Sequence, residues 1–115
     1  MAGKDEVEQF LNDLKTKLSI FDMIIIERDK NRQTMAELEI LNPKSFCVNE
    51  INKLTYKDYY KGPSPDSEYK GEYWEFGTTI SGRQIYIKVN NGLTNKPCIL
   101  ISFHFAEFNM TFPMA

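Results

Sequence analysis

Two segments, Arg83-Gln-Ile-Tyr-Ile-Lys-Val89 and Pro97-Cys-Ile-Leu-Ile-Ser-Phe-His-Phe105, predict neighbouring strands of one β-hairpin. The first segment alternates apolar and polar residues with the period of two that is typical of a half-buried strand. The second is almost entirely apolar, as expected for a central strand covered on both faces. The two strands decide the fold, because the remaining elements have to pack on the apolar face that these strands share.

Strand parity predicts which side chains of this hairpin share a face. The face towards the core is expected to carry Ile85, Ile87, Val89, Ile99, Ile101 and Phe103. The opposite face is then expected to carry Gln84, Tyr86, Lys88, Leu100, Ser102 and His104. This second face combines an amide, a phenol, a cation and the only histidine of the chain, and we interpret it as a candidate site.

Length and composition indicate one ordinary globular domain. The chain has 115 residues, of which 42% are hydrophobic and 26% charged, so residues 1–115 are expected to form a single domain around one core. No apolar run reaches the roughly 18 residues of a membrane span, and the charged N-terminus lacks the pattern of a signal peptide. Cys47 and Cys98 lack metal-ligand spacing and are expected to be buried free thiols. The prediction is a cytoplasmic protein with no membrane partner.

The net charge of −2 weighs against an extended nucleic-acid interface. Proteins that bind nucleic acids usually carry a basic excess, because neutralising phosphates supplies much of the affinity. The lysines and arginines of this chain form no run. Any contact with RNA therefore has to rest on a local basic patch.

The N-terminal half is predicted to be mainly helical. Apolar residues at helical spacing predict an amphipathic helix from Lys4 to Leu18. Residues 21–27 contain three consecutive β-branched isoleucines and predict a short strand. A polar loop is expected over residues 28–33, followed by a short helix from Thr34 to Ile40 with Thr34 as its N-cap. The Asn42-Pro43 pair predicts the start of a third helix.

The C-terminal half is predicted to form the sheet. Residues 56–71 end the helical half and continue into a loop rich in Gly, Pro, Ser and Asp. A strand is expected from Glu72 to Ile80, with a turn at Ser81-Gly82 leading into the hairpin. The predicted fold class is α+β, with N-terminal helices packed on a small antiparallel sheet.

Three motifs of this chain resemble the MqsR-like toxins of bacterial type II toxin–antitoxin systems, in the RelE-like mRNA interferase superfamily. They are Lys57-Asp-Tyr-Tyr-Lys-Gly62, Gly82-Arg-Gln-Ile-Tyr-Ile-Lys88 and Ile99-Leu-Ile-Ser-Phe-His104. The resemblance extends roughly from Thr34 to Glu107. It implies a RelE/MqsR-like fold and cleavage of single-stranded mRNA by its own 2′-hydroxyl, without a metal or other cofactor. It further implies a cognate antitoxin as partner and mRNA as substrate, either free or on the ribosome.

The resemblance also implies roles for individual residues. Lys61 matches a lysine that would hold the phosphate, Tyr86 matches a strand tyrosine used for proton transfer or positioning, and His104 stands where the family has a lysine. These three are the predicted catalytic residues. The predicted RNA-binding residues are Lys57, Tyr60, Arg83, Gln84 and Lys88.

Two other interpretations remain open at the level of the sequence. A single histidine on an apolar strand is more often a packed, hydrogen-bonded residue than a catalyst, and Tyr60 with its neighbouring lysines also fits the solvated end of a helix. The chain could then be a non-catalytic interaction domain whose aromatic tail, Phe103 to Phe112, docks a protein, or a domain that binds RNA without cutting it. Metal binding is not expected, because one histidine and two distant cysteines do not form a zinc site.

Overall fold

The chain forms a five-stranded mixed sheet with helices packed on it, in a computed structural model that describes residues 1–115. The helices are α1 (Lys4–Leu18), α2 (Asp29–Glu37) and α3 (Pro43–Asn52), with one turn of 3-10 helix at Tyr56–Asp58. The strands are β1 (Ile24–Ile25), β2 (Tyr59–Pro65), β3 (Glu72–Ile80), β4 (Arg83–Asn90) and β5 (Ile99–Phe105). Their order in the sheet is β1-β5-β4-β3-β2, and β1 is parallel to β5 while the other pairs are antiparallel. The predicted α+β class is confirmed, but the sheet predicted to be antiparallel is mixed, because β1 pairs with β5 in parallel.

The core lies between one face of the sheet and helices α1 and α3. The predicted amphipathic helix α1 is confirmed with its predicted bounds, and it buries Val7, Phe10, Leu11 and Leu14. Its Phe10 stacks on Trp74 of β3 with 4.5 Å between ring centroids. None of the three α-helices has the length and apolar composition that a membrane crossing requires.

Helix α3 begins where the sequence predicts. The side chain of Asn42 accepts a hydrogen bond from the amide of Ser45 at 3.2 Å, and Pro43 occupies the first helical position. The helix buries Cys47 and Ile51, and its Phe46 packs nearly perpendicular to Phe103 of β5, with 6.2 Å between the ring centroids. The N-cap therefore defines the start of α3, and the apolar side chains pack the helix against the core.

Helix α2 corrects the predicted loop at residues 28–33 and the predicted N-cap at Thr34. The helix begins at Asp29, so Thr34 lies inside it and is buried. Its buried side is formed by Asn31, Thr34 and Met35, at the i, i+3, i+4 spacing of one helix face. Two of these three are polar, and hydrophobic periodicity therefore did not predict the start of this helix, whereas its last turn overlaps the helix predicted from Thr34 to Ile40.

The buried side of α2 is polar because it faces strand backbone. The Nδ2 of Asn31 donates to the carbonyl oxygens of Ile26 at 2.9 Å and Ile101 at 3.0 Å, while its Oδ1 accepts from the amide of Phe103 at 2.9 Å. The Oγ1 of Thr34 accepts from the amide of Phe105 at 3.1 Å. These side chains occupy the edge of β5 where a neighbouring strand would otherwise pair. The predicted strand over residues 21–27 accordingly shrinks to the two residues that pair with Ile99 and Leu100.

Strand β2 corrects the loop predicted within residues 56–71. Residues Tyr59–Pro65 pair with β3 despite Gly62, Pro63 and Pro65, because β2 is an outer strand and its partner lies on one side only. Register shifts interrupt the pairing around Lys61. The strand places Lys61 on the sheet opposite Glu75, where the sequence alone had placed it at a loop.

The β3–β4 hairpin confirms the turn predicted at Ser81-Gly82. Both residues have positive φ, 52° and 78°, as a two-residue turn matched to strand twist requires. The turn fixes Ile80 opposite Arg83. Five residues further from the turn on each strand, Glu75 then lies opposite Lys88. One local motif therefore sets the register of this half of the sheet.

The parity predicted for β4 and β5 is correct for one half of the pair and wrong for the other. Tyr86 pairs with His104 and Lys88 with Ser102, so the predicted polar face exists. A register shift then places Leu100 opposite Val89, which leaves Ile101 as an additional residue in the strand. Leu100 therefore belongs to the core cluster, and Ile101, although buried, does not.

The two cysteines are free and buried, as the sequence predicts. Burial raises the pKa of Cys47 from 9.0 to about 12 and that of Cys98 to about 11. Both thiols stay protonated in the folded protein to a higher pH than in the unfolded chain. Their contribution to the free energy of unfolding is therefore complete below about pH 9 and is lost as the pH rises towards 11–12.

We expect the free energy of unfolding to fall by about 1 kcal/mol per thiol between about pH 8 and pH 10. Urea unfolding under reducing conditions at the two pH values measures this. The control is the double variant Cys47→Ala/Cys98→Ala, which is less stable at both pH values but has a smaller difference between them. An identical pH difference in the two proteins would contradict the prediction.

Candidate active site

The sheet face opposite the core carries two adjacent rows of side chains. In one row Lys61 of β2, Glu75 of β3, Lys88 of β4 and Ser102 of β5 lie at successive cross-strand positions. In the next row Gly77, Tyr86 and His104 lie opposite one another. The predicted catalytic residues Lys61, Tyr86 and His104 are thus brought onto one face.

These residues line an open cavity of about 640 Å³. Its floor is the sheet face, and its walls are the start of α2 and the segment after β5, residues 106–115, which we call the C-terminal tail. The lining residues are Arg28, Asp29, Lys30, Tyr60, Lys61, Glu75, Tyr86, Lys88, Ser102, His104, Glu107 and Phe108. The cavity unites the three predicted catalytic residues with Tyr60 and Lys88 of the predicted RNA-binding set.

His104 is largely buried, with 8% of its surface exposed, yet it lines the cavity. Its Nδ1 lies 2.9 Å from the carbonyl oxygen of Phe105. Because a carbonyl only accepts hydrogen bonds, Nδ1 carries the hydrogen, and the neutral ring has its lone pair on Nε2. That atom forms no hydrogen bond within the protein, so it is the ring atom available to a ligand.

Tyr86 lies beside the imidazole and is held in its protonated form. The two ring centroids are 5.4 Å apart, and the phenol donates a 2.6 Å hydrogen bond to Oε1 of Glu75. Burial, followed by the hydrogen bond and charge of Glu75, raises the pKa of Tyr86 well above its ordinary value of 10.0. The phenol therefore stays protonated near neutral pH, where it can donate a hydrogen bond and cannot act as a base.

Lys61 and Lys88 supply positive charge that no carboxylate of the protein neutralises at ion-pair distance. Neither lysine takes part in a salt bridge. The Nζ of Lys61 lies 5.2 Å from the ring centroid of Tyr60, and that of Lys88 lies 4.1 Å from the ring centroid of Tyr73. The aromatic rings steady both ammonium groups while leaving their hydrogen-bond donors free for an anion.

The C-terminal tail folds back over the same sheet face. Gln84 holds it through its side-chain amide, which accepts from the Met110 amide at 2.8 Å and donates to the Met110 carbonyl at 3.1 Å. Phe112 packs directly on Gly77, where an added Cβ would come within 2.7 Å of the ring. Phe108 lies 5.8 Å from Tyr60 between ring centroids and remains half exposed. The tail thus completes an aromatic wall of the cavity.

Three of the predicted RNA-binding residues lie outside this cavity. Lys57 is exposed in the 3-10 helix, and Gln84 is engaged with the tail. Arg83 stacks on Phe105 with 3.4 Å from guanidinium carbon to ring centroid and pairs with Glu37 at 3.1 Å. The structure therefore does not bring Lys57, Arg83 or Gln84 together with the catalytic candidates.

The cavity also contains residues that sequence reasoning missed. Glu75 is not among the predicted site residues, although the Ser81-Gly82 turn and strand parity place it opposite Lys88. The sequence pattern did not predict that Arg28, Lys30 and Glu107 line the cavity, because they reach it from the start of α2 and from the tail. The cavity lining thus contains four cations, Arg28, Lys30, Lys61 and Lys88, against the carboxylates Asp29, Glu75 and Glu107, which is a small local excess of positive charge.

The imidazole and the phenol of this site are groups suited to proton transfer, and its lysines are suited to bind an anion. No three side chains of His, Cys, Asp or Glu lie close enough together to hold a metal ion. In comparisons with protein-family models, with curated proteins and with solved structures, the chain showed no match. The site and the sequence motifs are therefore the features of the chain that bear on its function.

Proposed function

We propose that this protein is a metal-independent endoribonuclease that cuts single-stranded RNA in the cavity above β3–β5. The observation that supports this best is the convergence of Lys61, Tyr86 and His104 on one open cavity. The further assignment, a RelE/MqsR-like toxin that acts on mRNA and is neutralised by a cognate antitoxin, rests on the sequence resemblance.

In this reaction the ribose 2′-oxygen attacks the adjacent phosphorus and the bond from phosphorus to the 5′-oxygen breaks. His104 Nε2 takes the proton of the 2′-hydroxyl, and its Nδ1 remains fixed on the carbonyl of Phe105. The leaving 5′-oxygen takes a proton from Tyr86, whose phenol stays protonated near neutral pH and which gives up its hydrogen bond to Glu75 in this step. The products are a 2′,3′-cyclic phosphate and a 5′-hydroxyl.

The charge that develops on the phosphate oxygens requires cations positioned in advance. Lys61 and Lys88 meet this requirement because neither forms an ion pair within the protein. Tyr60 and Phe108 on the wall offer ring faces on which an unpaired base can stack. Stacking of this kind favours single-stranded RNA over a duplex.

An RNA-binding protein that does not cut is the second candidate. The small exposed fraction of His104 favours it, because a base has to reach its substrate. The interaction-domain alternative depended on the aromatic tail. In the structure Phe112 packs on Gly77 and Met110 is buried. Of the large apolar side chains of the tail, Phe108 is the exposed one, which leaves a small surface for docking a protein.

Incubation of the purified protein with single-stranded RNA in EDTA tests the proposal. We expect cleavage, with mass spectrometry identifying 2′,3′-cyclic phosphate and 5′-hydroxyl ends. The matched substrate carries 2′-deoxyribose at the cleaved position and is expected to remain intact. Binding without cleavage would favour the second candidate, and the absence of binding would exclude both.

We expect Lys61→Gln to lower the cleavage rate by about 10²-fold, because one preorganised cation is lost at the developing charge. The same change is expected to reduce the salt dependence of RNA binding by about 0.7 in the slope of log affinity against log salt. Lys96→Gln, an exposed lysine in the β4–β5 connection, is the matched control for net charge. Equal effects of the two substitutions would contradict a specific role for Lys61.

A further inference from the structure

An ion pair lies beside His104, where two cavities meet. Besides the main cavity, a smaller one of about 270 Å³ lies along α2 and the end of β5. Lys30, His104 and Glu107 line both cavities. The Nζ of Lys30 lies 2.7 Å from Oε1 of Glu107 and joins α2 to the C-terminal tail. A ligand that reaches the imidazole therefore meets this ion pair.

Both ends of the ion pair are attached to fixed backbone. Asn31, which follows Lys30, is hydrogen-bonded to β5 through both atoms of its amide. Met110, three residues after Glu107, is held by Gln84 through two hydrogen bonds. The backbones on either side are thus anchored independently of the ion pair, and only the two side chains have to move for it to open.

The ion pair is exposed and can be replaced by another anion. Its two side chains are 58% and 60% exposed, and ion pairs in that setting contribute little to stability. The hydrogen bond and charge of Lys30 hold the pKa of the Glu107 carboxyl below its ordinary value, and His104 contributes to a smaller extent. The negatively charged carboxylate of Glu107 is therefore paired with the ammonium of Lys30 beside the site.

We propose that Lys30 is a further phosphate-binding residue of this cavity and that Glu107 holds its ammonium until a phosphate of single-stranded RNA displaces the carboxylate. The inference rests on the proposed binding of RNA in the cavity. Lys30 then joins Lys61 and Lys88 around the phosphates, and the displaced Glu107 no longer opposes the approach of an anion to His104. Glu107 lowers affinity for RNA and Lys30 raises it.

Fluorescence anisotropy with a short, labelled, single-stranded 2′-O-methyl RNA of mixed sequence tests this, because that probe binds but lacks the attacking hydroxyl. We expect Glu107→Gln to tighten binding by about two- to fivefold. We expect Lys30→Gln to weaken it by a similar factor and to reduce the salt slope by about 0.7. In the double variant Lys30→Gln/Glu107→Gln, removing the carboxylate is expected to bring a smaller gain than in wild type.

The matched control is Asp22→Asn, which removes the same charge from the exposed Lys44–Asp22 pair. Equal tightening by Asp22→Asn and Glu107→Gln would reduce the effect to net charge and overturn the inference. Unchanged affinity in Lys30→Gln would also overturn it while leaving the proposed function intact. Wild-type protein that binds no RNA would overturn both, whereas binding without cleavage of unmodified RNA would overturn only the proposed reaction.

Discussion

We expect His104→Gln to lower RNA cleavage by about 10²- to 10⁴-fold, the range that one proton-transfer group contributes. Glutamine keeps a polar side chain of similar length at this largely buried position but cannot take the proton of the 2′-hydroxyl. The rate of cleavage of a labelled single-stranded RNA measures the loss. Circular dichroism and the melting temperature establish that the variant is folded.

A second substitution separates the chemistry from the packing. His104→Ala leaves space beside Tyr86, and added imidazole is expected to restore part of the activity because it supplies the missing base. In a bacterial host, induced wild-type protein is expected to arrest growth and degrade mRNA, while His104→Ala at equal soluble level does neither. Wild-type rates in His104→Gln would remove this residue from the mechanism.

We expect Asn31→Ala to lower the free energy of unfolding by about 3 kcal/mol, which corresponds to a fall in melting temperature of about 10 °C. The substitution removes three hydrogen bonds and leaves the carbonyl of Ile101 and the amide of Phe103 unpaired in a buried place. Urea and thermal unfolding measure the effect. Hydrogen exchange is expected to show faster exchange of the Phe103 amide.

Two variants make this prediction specific to the edge of β5. Asn12→Ala removes an exposed asparagine of α1 and is expected to leave the melting temperature unchanged or slightly raised, since alanine is the better helix former. Asn31→Asp retains an acceptor for the amide of Phe103 but turns an anion towards two carbonyl oxygens, so it is also expected to destabilise the protein. A melting temperature of Asn31→Ala equal to that of Asn12→Ala would show that the helix does not depend on these hydrogen bonds.

The parts of the fold that the sequence predicts are those encoded by local signals. Helix α1 has an apolar stripe, α3 has Asn42 as its N-cap, and Ser81-Gly82 supports a two-residue turn, so all three are confirmed. The start of α2 at Asp29, five residues before the predicted Thr34, was missed because the buried side chains of this helix contact backbone groups of β5, and that requirement is satisfied by Asn31 and Thr34. The pattern of apolar residues along the chain does not predict a contact between polar side chains and strand backbone.

The residues of the candidate site also divide into those predicted from local patterns and those positioned by tertiary packing. Tyr86, Lys88 and His104 could be placed together because strand parity needs only the pairing of β4 with β5. Parity failed at Leu100, because a bulge depends on packing across the sheet. The contribution of Lys30 and Glu107 depends on how α2 and the tail cross the sheet, and no spacing in the sequence reports it.

The polar side of α2 also bears on how this protein avoids associating with other chains. An open strand edge is a template for pairing between molecules, and this sheet exposes little of it. Asn31 and Thr34 occupy β5 beyond the two residues paired with β1, and the other outer strand contains Pro63 and Pro65, which have no amide hydrogen to offer. Addition of a further strand is thereby opposed at both sides of the sheet, and Asn31 closes a strand edge as well as anchoring α2.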